Sequence, residues 1–243
     1  MEGIEIGYTA EWSLAWLFPA TSDFLVLNAK TLINTWIVMG LITVFCCVCL
    51  LTMYVAHKTV RHAIYMLIDL FDQLCTPALG FFSLKHLSFI TALFLFIFFC
   101  NVSPLIPGLE EPTIDLNTTL ALGFIVFLYI QYEAIKAQGI VAYIRGYFSP
   151  FFLFLPLNVI GKLATVMSMS FRLFGNIFGG ALIAQIYFGV LNKYWLVHLV
   201  CFILGFDLLI TGFFTVFEGA LQAFVFTMLT VTHLGLALQG EGH

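Results

Sequence analysis

Long apolar runs constrain this chain more than any other feature of its sequence. A bilayer core about 30 Å thick needs roughly 20 apolar residues in a helix, and three runs of about that length predict spans over 32–56, 87–105 and 117–135. Hydrophobic residues make up 62% of the 243 residues and charged residues only 9%. So few charges cannot coat a soluble globule, and most of the outer surface must face lipid. The sequence predicts one integral membrane domain over residues 1–243.

Two further apolar runs, 155–191 and 194–238, are too long to stand upright in a bilayer. As straight helices they would reach ~55 Å and ~65 Å. Each run could instead break into two spans, but neither carries a charged or Pro/Gly-rich turn near its middle. We favour two long, strongly tilted helices joined at residues 191–193, because tilt is the usual response to excess hydrophobic length.

The segment 57–84 mixes charged side chains, such as Lys58, Arg61 and Asp72, with apolar ones at helical spacing. That pattern is typical of an amphipathic helix lying in the membrane interface. The predicted fold class is therefore an all-α polytopic membrane protein with five membrane crossings and one interfacial amphipathic helix, its last two helices being long and strongly tilted.

Basic residues predict the orientation by the positive-inside rule. With five crossings, most of them fall on one side of the membrane: Lys58, Arg61, Lys85, Lys136 and Arg145. The acidic cluster of Glu110, Glu111 and Asp115 falls on the other side. We expect the N-terminal tail, residues 1–31, outside and the C-terminus in the cytoplasm. The first 23 residues contain no Lys or Arg, so they lack the positive region of a cleaved signal peptide.

Arg172 is the residue of the apolar runs that most needs an explanation. It lies near the middle of the run 155–191, where a charge costs about 2.5–3.5 kcal/mol on insertion scales. On a helix it shares an arc of about 100° with small or polar residues: Gly161, Thr165, Ser168, Gly175, Asn176 and Gly179. Small residues let another helix approach closely, so this face predicts a partner that carries a carboxylate. The alternative is an ion pair that pins two helices of this chain together.

The last apolar run carries a second polar stripe. Its members are spaced by three or four residues: Asp207, Thr211, Thr215, Glu218 and Gln222. Such a stripe either lines a water path or makes hydrogen bonds between helices. Glu218 is the strongest proton carrier among them, since an intramembrane carboxylate is by default a proton-relay candidate. Gln185, Thr230 and His233 are further candidates for the path, although His233 is close to the C-terminus.

The sequence argues against cofactors, metals and nucleic acid. The six cysteines fit neither zinc-ligand spacing nor a disulfide scaffold, and no two histidines occupy facing mid-membrane positions, as a haem would need. A net charge of -4 with nine scattered Lys and Arg residues gives no phosphate-binding patch. We expect no cofactor, no metal and no nucleic-acid partner.

Two motifs carry the central residues of these stripes. Residues 170–176 read SFRLFGN, and residues 221–226 read LQAFVF. Together with three further segments in the same order, they closely resemble subunit a of the rotary F-type ATP synthase. The further segments are NVSPLIPG at 101–108, DLNTTLA at 115–121 and PLN at 156–158.

The resemblance covers roughly residues 85–238. It implies a non-catalytic stator subunit in a lipid bilayer, beside a ring of small c subunits that each carry a membrane carboxylate, and a peripheral stalk subunit b. In that family the motif arginine, here Arg172, faces the ring and separates two aqueous half-channels, and the motif glutamine, here Gln222, lies near it. Protons bind a ring carboxylate from one half-channel and leave through the other. Nothing in the chain resembles a P-loop, so we expect no ATP chemistry from this chain alone.

Two family positions differ here. Many relatives carry an ionisable residue nine positions after the arginine, where this chain has Ala181. Many also carry His or Glu seven positions before the glutamine, where this chain has Thr215. Glu218 lies one turn further along the same helix face. We hypothesise that it takes over the role of these groups in the outer half-channel.

Two other functions stay open at the level of the residues. A secondary transporter could use Arg172 and Glu218 for an anionic substrate, but no inverted repeat or broken helix is visible. A structural anchor subunit is the second alternative, and it leaves the charge of Arg172 unexplained. The RLFGN form of the motif looks bacterial or plastid-like, and we expect a multi-pass protein of a bacterial inner membrane.

Overall fold

The computed structural model describes residues 11–13, 26–55, 58–106, 108–148, 151–193, 205–206 and 212–239. This part of the chain is almost entirely helical. The helices are α1 (Ala29–Val55), α2 (Lys58–Leu79), α3 (Leu84–Val102), α4 (Leu116–Gln138), α5 (Ile140–Tyr147), α6 (Leu155–Lys193) and α7 (Gly219–Gln239). Short 3-10 turns lie at Ser103–Leu105, Pro112–Ile114 and Phe152–Phe154.

Five helices of the described part are long and apolar enough to cross a membrane: Lys30–Tyr54, Leu84–Leu105, Leu116–Gln138, Leu155–Gly189 and Thr215–Gln239. The prediction of an all-α polytopic membrane protein with five crossings is thereby confirmed. Helix α2 is not among the five, and it carries the charged side chains of the amphipathic segment. Helix α6 has 39 residues, which corresponds to a length of ~58 Å.

A short antiparallel ladder precedes the helices. Its strands are β1 (Glu11–Ser13) and β2 (Val26–Asn28), and Glu11 pairs with Asn28. The ladder falls in the segment predicted as an external tail, and no periodicity in the sequence predicts it. An ion pair between Lys30, at the start of α1, and Glu110 ties this end of the chain to the connection between α3 and α4.

The last apolar run, predicted as a long tilted helix over 194–238, is not regular α-helix throughout the part that the structure describes. A π-helical segment occupies Gly212–Glu218, directly before α7. Because a π-helix bonds residue i to residue i+5, the assumption of about 100° per residue does not hold across this segment. The parts of the predicted helix at 194–204 and 207–211 lie outside the described residues.

The main hydrophobic core joins α3, α4, α6 and α7. It is built from apolar side chains at helical spacing on the inward faces of these helices: Leu93, Ile97, Leu122, Val126, Met169, Leu173, Ile177, Ala223 and Phe226. A second cluster joins α2, α3 and α7. This packing fixes α6 and α7 side by side, and the described residues leave the opposite face of α6 uncovered.

Small residues bring the helix backbones close together, as is usual in membranes. A Cβ added to Gly123 would lie 2.2 Å from Ser170 Oγ, where α4 meets α6. A Cβ on Gly219 would lie 2.8 Å from the Cβ of Asn101. A Cβ on Gly235 would lie 2.3 Å from the backbone carbonyl oxygen of Ala78, so α7 touches the backbone of α2 at this point.

Candidate functional site

The small-residue face of α6 consists of Gly161, Thr165, Ser168, Arg172, Gly175, Asn176 and Gly179. A Cβ added to Gly161, Gly175 or Gly179 would meet nothing within 4 Å. The side chains of Ser168 and Arg172 are exposed. The opposite face of α6, with Met169, Leu173 and Ile177, packs into the core. Within the described chain, the small-residue face is therefore open at its three glycines and at Ser168 and Arg172.

Arg172 stands on this open face among apolar neighbours. Phe171 is 46% exposed and Met167 is 41% exposed. The guanidinium makes no hydrogen bond or ion pair with the residues that the structure describes. The interpretation of Arg172 as an ion pair between two helices of this chain thus has no carboxylate partner in the described part. Asp207, the remaining acidic residue of the last stripe, lies outside the described residues.

Asn176 and Gln222 connect the small-residue face to α7. The amide nitrogen Nδ2 of Asn176 donates a hydrogen bond to Oε1 of Gln222 over 2.7 Å. Gln222 is only 1% exposed, and its Nε2 has no hydrogen-bond partner among the described residues. A buried amide with a free donor is rare in native proteins. The amide nitrogen of Gln222 is therefore available to donate a hydrogen bond to a further group.

A cavity of about 290 Å³ opens beside this pair, and we call it the Glu218 cavity. Thr215 and Glu218 of the π-helical segment, Asn176 and Ala181 of α6, and Glu111 of the loop between α3 and α4 line it. The π-helical segment thus turns both of its polar side chains toward α6. The structure brings together Asn176, Thr215 and Glu218, and the hydrogen bond from Asn176 adds Gln222.

Glu111 belongs to this site although its role is not predicted from the sequence. Thr113 Oγ1 donates to Asn101 Oδ1 over 2.9 Å, and Asn101 Nδ2 donates to the backbone oxygen of Gly219 over 3.0 Å. Both Asn101 and Thr113 are fully buried. These bonds hold the loop against the start of α7, directly after Glu218. The signal in the sequence is an acidic residue next to a Pro-Thr pair between two spans.

Electrostatics at the loop favour a neutral carboxyl. Burial, and to a lesser extent the negative charge of Glu218, together raise the pKa of Glu111 from 4.5 to about 7. Desolvation disfavours the charged form of an acid, and so does a nearby like charge. A group with such a pKa gains and loses a proton near neutral pH.

Three other predicted site residues are described by the structure and do not line the Glu218 cavity: Gln185, Thr230 and His233. Gln185 is exposed on α6 and His233 is partly buried on α7. Thr230 is fully buried, and its hydroxyl donates to the carbonyl of Phe226 in its own helix over 2.9 Å. Thr211 lies outside the described residues, as Asp207 does. No group of three His, Cys, Asp or Glu in the described part could hold a metal ion.

Comparisons with known proteins agree with the motifs. The profile of the family described as ATP synthase A chain matches residues 32–235. The chain is 33% identical over 212 residues to ATP synthase subunit a of Moorella thermoacetica, and the aligned region covers 87% of this chain and 92% of that protein. It is 33% identical over 214 residues to subunit a of Desulforamulus reducens, covering 86% and 79%. For subunit a of Campylobacter jejuni the identity is 37% over 164 residues, covering 65% and 67%. The resemblance is thereby confirmed, and this chain belongs to the ATP synthase A chain family.

Proposed function

We propose that this chain is the proton-conducting stator of a rotary ATP synthase. It forms two aqueous half-channels against a ring of c subunits, and Arg172 separates them. A proton binds a ring carboxylate from one half-channel, travels round with the ring and leaves through the other. Each charge that crosses supplies ~2.3 kcal/mol per 100 mV to the rotor. The chain itself catalyses no bond chemistry.

The exposure of Arg172 on an open face carries this proposal. A guanidinium cannot lose its proton in a protein, so its charge is permanent. A carboxylate that passes it is held ionised by charge attraction and hydrogen bonding. Because the small-residue face is uncovered within the described chain, a helix of another subunit can come close enough for this contact. Protons then cannot cross directly, since the carboxylate opposite Arg172 stays ionised.

The outer half-channel is the Glu218 cavity. Thr215, Glu218 and Asn176 line it, and Gln222 continues it through the bond from Asn176. Asp207, Thr211 and Gln185 are the proposed polar residues of the path beyond this cavity, toward the outer surface. Glu218 is the ionisable group of this path, and it replaces the ones that relatives carry at the positions of Ala181 and Thr215. Family membership together with this cavity argues against a secondary transporter.

The inner half-channel begins on the other side of Arg172. Ser168 lies about one turn closer to the inner end of α6, and Thr230 and His233 lie toward the inner end of α7. In this orientation the N-terminus is outside and the C-terminus is cytoplasmic, following the positive-inside rule. The membrane is a bacterial inner membrane, and a peripheral stalk subunit b holds the stator in place.

The test is ATP-driven acidification of inverted membrane vesicles that contain the assembled complex, with ATP hydrolysis measured in the same vesicles. We expect Arg172→Ala to abolish acidification while the complex stays assembled. Arg145→Ala is the matched control, because Arg145 is an exposed arginine of a different helix, α5. It is expected to pump normally.

Two outcomes decide the proposal. Loss of pumping in Arg172→Ala but not in Arg145→Ala supports Arg172 as the residue at the ion path. Normal pumping by Arg172→Ala overturns the proposal. Purification in mild detergent gives an independent check, since a stator must bring with it a small proteolipid that carries a membrane carboxylate.

A further inference from the structure

Glu111 lies between two cavities. One is the Glu218 cavity, described above. The other, of about 340 Å³, lies between the start of α1 and the loop, and we call it the loop cavity. Thr31, Asn34 and Asp115 line it, together with Glu111. The two cavities share three wall residues, Glu110, Glu111 and Ile114.

The three shared residues differ in what they can do. Ile114 is apolar and has no group that can bind or release a proton. Glu110 is 61% exposed and forms an ion pair with Lys30. The carboxylate of Glu111 is partly buried and makes no hydrogen bond or ion pair with the described residues. Glu111 is thus the group of the shared wall whose carboxylate is not engaged elsewhere in the described part.

We propose that Glu111 is the outermost proton-binding residue of the uptake path and hands protons from the loop cavity to Glu218. A hydronium ion in the loop cavity protonates the Glu111 carboxylate and leaves a water molecule. Glu111 then gives this proton to the Glu218 carboxylate through the Glu218 cavity and becomes a carboxylate again. This inference rests on the proposed function, because it extends the outer half-channel by one residue.

The charges around Glu111 suit this task. Glu218 faces it from the π-helical segment, Glu110 and Asp115 come from its own loop, Lys30 from α1 and Cys100 from α3. Lys30 is paired with Glu110, and Asp115 caps α4 by accepting from the backbone nitrogen of Asn117 over 2.9 Å. The pKa of about 7 leaves Glu111 divided between both protonation states at neutral pH. A relay group works best when its pKa is near the operating pH.

The experiment measures ATP synthesis by inverted vesicles after an acid-to-base jump. In these vesicles the outer side of the membrane faces the lumen, so the lumen pH sets the proton concentration at the loop cavity. The pH difference and the membrane potential are held constant while the lumen pH is varied. Rates are normalised to the amount of subunit in the membrane by immunoblot.

We expect Glu111→Gln to lower the initial rate of ATP synthesis by about tenfold or more, as for the loss of a positioned proton-transfer group. Asp69→Asn is the control, since it removes an exposed carboxylate of α2 that lines neither cavity. It is expected to stay within about twofold of the parent rate, because surface substitutions away from a site have small effects. Equal rates in the two variants overturn the inference.

A second variant decides the matter if Glu111→Gln fails to accumulate. Glu111→Asp keeps a carboxyl group but withdraws it by one methylene. We expect its rate against lumen pH to shift toward lower pH by about half a unit, because a shorter and better solvated acid has a lower pKa. An unchanged profile overturns the inference. Arg172→Ala is run in parallel: activity in that variant means the proposed function fails, whereas a defect only there means that Glu111 alone is misassigned.

Discussion

The side-chain amide of Asn176 donates a hydrogen bond to the side-chain oxygen of Gln222 over 2.7 Å. The bond joins the small-residue face of α6 to a side chain of α7 that is 1% exposed. It fixes the position of the Gln222 amide. The oxygen of this amide accepts the bond, and its nitrogen has no partner among the described residues. One hydrogen bond therefore couples the surface around Arg172 to the core of the bundle.

Replacing Asn176 by Leu tests this coupling. Gln222 would then be buried with neither of its polar atoms paired, at a cost of about 1–3 kcal/mol. We expect a lower unfolding midpoint of the detergent-solubilised complex and slower ATP-driven proton pumping. Thr232→Val is the control, since that exposed hydroxyl bonds only the carbonyl of Met228 in its own helix. If both variants melt and pump alike, the bond has no role.

Gly235→Ala tests the contact of α7 with α2. Its new Cβ would lie 2.3 Å from the carbonyl oxygen of Ala78, and a backbone atom cannot turn aside as a side chain can. The helices must separate, at about 1–3 kcal/mol for such overpacking. Gly40→Ala is the matched control, because a Cβ there meets nothing within 4 Å. Thermal unfolding in detergent should show a lower unfolding midpoint for Gly235→Ala and an unchanged one for Gly40→Ala. The reverse order would contradict this packing.

The two lysine–glutamate pairs are expected to differ in strength. Glu133 is 6% exposed and pairs with Lys85, whereas Glu110 is 61% exposed and pairs with Lys30. Lys85→Met leaves a buried carboxylate unpaired and should cost on the order of 2 kcal/mol. Lys30→Met should cost less than about 1 kcal/mol. Unfolding midpoints of the two variants give the comparison, and adding Glu133→Gln to Lys85→Met should restore much of the loss. Equal losses would mean that burial of Glu133 is unimportant.

Glu111 predicts a dependence of stability on pH. Its pKa is raised from 4.5 to about 7 in the folded chain, so the folded state retains a proton that the unfolded state has lost between these values. This contribution to stability is complete below pH 4.5 and is lost as the pH rises through about 7. The unfolding midpoint should fall as the pH is raised from 4.5 to about 7, and fall less in Glu111→Gln than in Glu110→Gln. Parallel slopes in these two variants would exclude the shifted pKa.

The fold class follows from the sequence because membrane burial acts on every turn of a helix. The lengths of the apolar runs predict five crossings, and the charged residues of α2 mark it as different from them. The π-helical segment at Gly212–Glu218 has no such signal. A π-helical turn contains about one residue more than an α-helical turn. This difference barely changes the hydrophobicity or the length of an apolar run, so packing rather than composition determines where the π-helical segment forms.

The site is predictable only where its residues share a helix. Arg172 and Asn176 share a face at the spacing of α6, and Glu218 and Gln222 are close in sequence. Glu111 is different, because its place beside Glu218 depends on the buried bonds of Asn101 with Thr113 and Gly219. The bond from Asn101 to Gly219 joins residues 118 positions apart, and no local pattern encodes it.

The small-residue face has a mechanical consequence for the proposed rotor. Apart from Arg172, it offers a passing helix only glycines and short side chains, and open space lies over Gly161, Gly175 and Gly179. Such a surface has no large side chains that would interlock with the ring helices and hold the ring in one position. The encounter with the single guanidinium then becomes the one strong event in each step. In the proposed motor, the uncharged residues of this face would only guide the passing helix, and Arg172 would supply the charge that it meets.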